Sequence, residues 1–147
     1  DQRGDIFVTA RNSLQKIGYD DKRITVIAGS SENSYGYRDS TLLNSLFWGP
    51  RDVLFIGLET LLVADDSNNK LRLIDLESDR VETLNLGNES NPSSLLLANE
   101  FLYVGGHRIT RYIRECETVW KIPSQGITPH TCTFSTYKVK ICSSCGC

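Results

Sequence analysis

The chain has 147 residues and a net charge of −2, from 16 basic and 18 acidic side chains. A field that mild does not select phosphate-rich partners, which disfavours general nucleic-acid binding. No apolar run approaches the roughly 18 residues that cross a bilayer as a helix, while 39% hydrophobic and 23% charged residues supply one core rather than a disordered chain.

The chain opens at Asp1 and contains no methionine, so we expect a processed form or a piece of a larger protein. Arg3-Gly4-Asp5 matches the integrin-recognition tripeptide, but a polar turn ahead of a strand explains the same residues more simply. Short apolar runs then follow one another, each bounded by Gly, Asn, Asp, Ser or Pro: Ile6-Phe7-Val8, Ile24-Thr25-Val26-Ile27, Val53-Leu54-Phe55-Ile56, Leu61-Leu62-Val63, Leu71-Arg72-Leu73-Ile74, Leu95-Leu96-Leu97, Phe101-Leu102-Tyr103-Val104 and Val139-Lys140-Ile141. No window holds a helical period for three turns, so the expected class is all-β with many antiparallel strands. Between the second and third runs lies a polar stretch from Ser30 to Asn44 carrying Tyr35, Tyr37 and Arg38. Tyrosines in a loop favour recognition, and these three residues are the expected binding group.

The runs repeat. Ile6-Phe7-Val8 through Ile17, Leu61-Leu62-Val63 through Ile74 and Leu102-Tyr103-Val104 through Ile113 each read as strand, polar turn, strand. The interval between the second and third copies is an ordinary propeller-blade length of about 40–45 residues. The first interval holds a blade plus the Ser30–Asn44 insertion. The middle copy is the fullest: Ala28-Gly29, then Phe47, Pro50 and Val53, then Leu62-Val63-Ala64-Asp65, Asn68-Asn69-Lys70-Leu71-Arg72 and Val81-Glu82-Thr83-Leu84. This order resembles the NHL repeat, a β-propeller blade family, with Asp52 where the family prefers Gly and Asn69 at the family His. The resemblance covers about residues 5–122, is strongest at 24–84, and in the third copy loses the Ala-Asp pair to Gly105-Gly106. It implies an NHL-like β-propeller segment of about three blades, an incomplete ring, with the first copy starting at its second strand. Propellers take about four to eight blades, so closure requires a longer parent chain or self-association through open propeller edges.

Asp65 and Asp66 sit side by side before Asn68. A calcium site is possible by ligand type, but a hairpin fixed by Asp65 accepting from Ser67 and Asn68 accounts for the residues. Asn88-Glu89-Ser90 is a glycosylation acceptor sequence in the connection Gly87–Pro92. Arg108, Arg111 and Arg114 beside His107 read as solvated strand charges, and Trp48 and Trp120 as core or loop anchors. The five cysteines are Cys116, Cys132, Cys142, Cys145 and Cys147, all in the last third of the chain. Crowding of this kind suggests disulfides in an oxidising compartment. Cys116 with Cys132 is one plausible pair, and the odd count leaves a cysteine free or bonded elsewhere. Zinc held by the tail cysteines with His130 is the alternative.

No Gly-x-Ser-x-Gly elbow and no phosphate-cradling loop is present, and the only histidines are His107 and His130. No catalytic residue, metal or cofactor is assigned. The reading is two regions, propeller blades over 1–122 and a cysteine-rich tail over 123–147. We expect a secreted or lumenal module, more a non-enzymatic protein-recognition or adhesion piece than an enzyme. The alternatives are a metal-dependent lyase or hydrolase propeller with a channel site, and a structural oligomer linked by disulfides.

Overall fold

The computed structural model describes residues 1–30, 32, 34–85, 91–99 and 101–113. The expected strand at Val139–Ile141 and the whole cysteine-rich tail lie outside the described residues. Among the described residues ten strands form three antiparallel sheets, none closed on itself. The first sheet holds β1 (Ile6–Ala10), β2 (Ser13–Ile17) and β3 (Ile24–Gly29). The second holds β4 (Pro50–Phe55), β5 (Thr60–Asp65), β6 (Lys70–Asp75) and β7 (Arg80–Leu84). The third holds β8 (Ser94–Ala98), β9 (Phe101–Gly105) and β10 (Ile109–Ile113). Among the described residues the only helical segments are two single 3₁₀ turns, at Leu42–Asn44 and Asp66–Asn68. The chain is all-β.

Within each sheet, strands that follow one another in sequence pair with one another, so each sheet is built from hairpins. Arg11, Asn69, Asp79 and Asn99 sit at hairpin turns with φ of 54–56°, the left-handed backbone that such turns require. Gly29 ends β3 at φ 86°, where a Cβ would come within 2.6 Å of the Asn12 carbonyl oxygen and 2.8 Å of the Phe47 ring. Only glycine lets β3 stop there against the start of the second sheet.

The sheets stack face to face. Leu14 and Ala28 of the first sheet meet Leu61, Val63, Ile74 and Val81 of the second in one buried cluster, together with Phe47 from the connection between the two sheets. Leu62, Ala64 and Leu71 on the other face of the second sheet meet Leu102, Val104 and Tyr112 of the third. Fully burying one such leucine contributes roughly 1.5–3 kcal/mol, so these two junctions are the core.

The two junctions are built on one plan. Asn12 Oδ1 accepts from the backbone N–H of Gly49 at 3.1 Å, and Asn69 Oδ1 accepts from that of Asn91 at 2.6 Å. Gly49 and Asn91 both have positive φ, 60° and 46°, and each precedes a buried proline, Pro50 or Pro92. Two residues after each asparagine stands the leucine that packs on the next sheet, Leu14 or Leu71. The structural repeat therefore matches β1 to β5 and β9, β2 to β6 and β10, and β4 to β8. The first sheet starts at the repeat's second strand, and β4 lies directly against β1.

Candidate functional site

The connection from β3 to β4 forms a ribbon folded over the second sheet. Gly36 N–H donates to the Phe47 carbonyl at 3.0 Å, and Arg38 and Leu46 pair as a β-bridge. The tip lies along the outer edge of β7, where Val81 N–H donates to the Ser40 carbonyl at 2.8 Å and Thr83 N–H to Asp39 Oδ2 at 3.1 Å. Leu42 from the tip packs on the cluster between the first and second sheets. The ribbon thus covers edge donors of β7 that would otherwise face outward.

Under the ribbon lies Arg72, fully buried. Its Nη1 donates to the Leu46 carbonyl at 2.9 Å and to Asp65 Oδ2 at 2.8 Å. Its Nη2 donates to the Arg38 carbonyl at 3.0 Å and to Asp39 Oδ1 at 2.6 Å. The guanidinium lies 5.1 Å from the Tyr37 ring centroid and 5.0 Å from that of Phe47, within cation–π range. Among the described residues its Nε finds no hydrogen-bond acceptor. Asp65, also fully buried, accepts from Trp48 N–H at 2.8 Å on Oδ1 and from Asn68 Nδ2 at 2.8 Å on Oδ2, beside Arg72. Burial pushes the Asp65 carboxyl above its ordinary value, against the opposing pull of Asn68, Trp48 N–H and Arg72. One arginine thereby ties the loop, the Asp65 turn and β6 into one unit.

This arrangement sets where each expected residue sits. Tyr37, though 53% exposed, is held in place by its hydroxyl, 2.9 Å from Thr83 Oγ1, and by Arg72 beneath its ring. Arg38 folds back, its Nε donating to the Asn44 carbonyl at 2.6 Å. Tyr35 is the free face of the three: 65% exposed, it stacks on Trp48 with ring centroids 5.5 Å apart and planes tilted by 33°. Trp48, expected as a core or loop anchor, is half-exposed, and Phe47 beside it is the buried residue. The backbone places Tyr35 and Trp48 together because Asn68 Nδ2 donates to the Gly36 carbonyl at 2.7 Å and Ser67 N–H to the Trp48 carbonyl at 3.1 Å. Arg51 of β4 pairs with Asp66 at 2.9 Å. The loop is pinned at its base and carries its exposed aromatic pair on hydrogen-bonded backbone.

The Asp65 turn is fixed by Asn68, as expected, but through Trp48 and Arg72 rather than Ser67. Asp65 is committed to Arg72 and Asp66 to Arg51, so neither carboxylate is turned toward a shared cation. Among the described residues no group of three His, Cys, Asp or Glu side chains is placed to hold a metal ion, and no helix is long and apolar enough to cross a membrane. In Arg3-Gly4-Asp5 the aspartate faces its own hairpin, accepting from Tyr19 N–H at 2.9 Å and pairing with Lys16 at 3.1 Å. Both contacts hold its carboxyl below the ordinary value, the Tyr19 N–H most of all. Arg111 lies over the Phe101 ring at 4.7 Å and His107 and Arg108 are exposed. Asn88, Cys116, Cys132, Cys142, Cys145 and Cys147 lie outside the described residues, as do Arg114, Trp120 and His130.

No family model matches the chain, and no curated protein matches it. Among solved structures it is similar to an auxiliary nutrient binding protein from Bacteroides ovatus ATCC 8483, at TM-score 0.55 and 19% identity, over 69% of this chain and 32% of that one. A structural genomics protein of unknown function from Bacteroides thetaiotaomicron VPI-5482 aligns at TM-score 0.49 and 16% identity, over 74% of this chain and 31% of that one. The chain therefore spans about a third of either protein. The first likeness is one of all-β fold; the NHL resemblance rests on the residues quoted for it above.

Proposed function

We propose that the chain is a segment of an NHL-like β-propeller acting as a non-enzymatic protein-recognition module, secreted or lumenal, that binds through the surface around Tyr35 and Trp48. The observation that carries this reading is the combination at one place of exposed aromatic area and rigid support. Tyrosine and tryptophan are the side chains that most often anchor protein interfaces, and a surface already ordered before binding loses less entropy on association. The cysteine-dense tail and the Asn88 acceptor sequence support the extracytoplasmic setting. The three-copy repeat and the stacked sheets support the propeller.

The test is a panel of extracellular ectodomains displayed on cells and probed with the multimerised chain. The reading expects binders that the Tyr35→Ser/Trp48→Ala double variant no longer recognises, while its unfolding midpoint stays near that of the parent. Binders retained in full by the double variant overturn Tyr35 and Trp48 as the recognition surface.

A further inference from the structure

Both ends of the three-sheet stack carry apolar residues whose repeat counterparts are buried inside it. In the second sheet Leu61, Ile74 and Val81 form one cross-strand row, all at most 1% exposed, packed toward the first sheet. The same row in the first sheet is Ile6, Ile17 and Ile24. There Ile6 is 58% and Ile24 67% exposed. On the opposite face of the second sheet, Leu54 pairs with Leu62 and Leu71 with Ala64, and all four pack toward the third sheet. Their counterparts in the third sheet are Leu96 paired with Tyr103 and Ile109 paired with Gly105. Leu96 is 58% and Ile109 80% exposed. The first face is an apolar row, and the second is apolar but for Arg111, the ladder partner of Tyr103, whose guanidinium lies over the Phe101 ring; exposed apolar area of this kind marks association surfaces.

We propose that these two outer faces are the halves of one further sheet-on-sheet junction, completed by a second copy of the chain: the Ile6–Ile17–Ile24 face of one copy seats on the Leu96–Tyr103–Ile109 face of the other. The argument for that occupant is continuity with the junctions already present. Each face has a known fit, because the same ladder positions meet across the two internal junctions, and the surface that fits each is carried by the other end of the same chain. Along β7 the outer edge of the second sheet is already taken, since the ribbon satisfies the Val81 and Thr83 donors. Packing of unlike faces is heterologous, so it closes into a ring of copies or grows as an open stack, depending on the rotation between copies.

Sedimentation of the chain from low to high micromolar concentration, in reductant so that no cysteine links copies, tests this. The parent is expected to shift from its monomer mass to at least twice that mass. Ile24→Lys blocks one face and Ile109→Lys the other; both side chains are exposed in a single copy, and unchanged circular dichroism and unfolding midpoint confirm that the variants fold. Each variant alone is expected to self-associate at least about tenfold more weakly, because a lysine in a dry apolar seat is costly. Mixed together, they are expected to form a one-to-one dimer through the two unblocked faces. A parent that stays monomeric throughout, a variant that self-associates as the parent does, or a mixture that stays monomeric each overturns the proposal.

Discussion

The two internal junctions share a frame and differ in what fills it. In both, an asparagine hooks the backbone one residue before a buried proline, and a leucine two residues on enters the next sheet. Among the described residues the junction of the second and third sheets shows apolar packing and one reach of Asp52, whose Oδ2 accepts from Leu95 N–H at 2.7 Å. The junction of the first and second sheets carries the ribbon and the Arg72–Asp65–Asp39 group as well. At the ladder positions of Arg72 and Asp65 the third sheet has Thr110 and Gly106, and the first has Gln15 and Ala10. The difference separates what makes a stackable sheet, which every copy has, from what fixes a surface loop, which among the described residues the middle copy alone has.

The sharpest way to break the contrast is Arg72→Met. It leaves Asp65 buried without its counter-charge and frees the Arg38 and Leu46 carbonyls, at an expected cost of about 3–5 kcal/mol. Adding Asp65→Leu removes the stranded charge and is expected to recover a large part of that loss. Urea unfolding measures both. Leu71→Ala attacks the other junction at an expected cost of about 3 kcal/mol, from lost burial and a residual cavity. The two substitutions differ in a second readout. Arg72→Met changes Trp48 emission in the folded state because the Asp65 turn holds Trp48, while Leu71→Ala leaves the emission unaltered.

The shared frame predicts equality rather than difference. Asn12→Ala and Asn69→Ala each remove one acceptor for a backbone N–H at the start of the next sheet, and each is expected to cost about 1 kcal/mol. A loss confined to one of the two, measured by the same unfolding, would show that the hook belongs to one junction and not to the repeat.

Strands, class and repeat were legible in the sequence because each depends on short-range pattern. Val8, Val63 and Val104 mark the same point in three copies, and a period-2 strand with turn residues at its ends needs no distant partner to be recognised. Even β2, with only Leu14 and Ile17 apolar, follows from its place in the repeat. The candidate site was legible only in part. Composition alone marks Tyr35 together with Tyr37 and Arg38, and nothing in the loop distinguishes the exposed ring from the pinned one. Arg72 carries no signal of its own in the sequence, because Lys70-Leu71-Arg72-Leu73 alternates like a half-exposed strand. Its partners, Asp39 and the Arg38 and Leu46 carbonyls, come from a loop more than 25 residues earlier that has no periodicity of its own. The one local signal was Asp65 followed by Arg72 on the neighbouring strand, an opposite-charge pair that a sheet brings within reach.

The smallest expected effect concerns acid, and it asks whether the polar junction is also the labile one. The two shifted carboxylates move in opposite directions. Asp5 has a folded value below its unfolded one, so the stability it contributes is present above the unfolded value and lost as pH falls through the folded one. Asp65 has a folded value above its unfolded one, because burial outweighs its donors. Its charged form is the costly one, and as pH falls through that raised value the folded state gains relative to the unfolded. Acid should therefore loosen the hairpin that Asp5 ties to Tyr19 while leaving the Asp65 turn in place. Hydrogen exchange, corrected for the intrinsic pH trend, is expected to show the Tyr19 amide losing protection below about pH 4 with the Trp48 amide still protected. Asp5→Asn should remove the acid step at Tyr19 and leave Trp48 unaltered. Loss of protection at Trp48 first would mean that the charge on Asp65, held against its burial, is what keeps the loop on the second sheet.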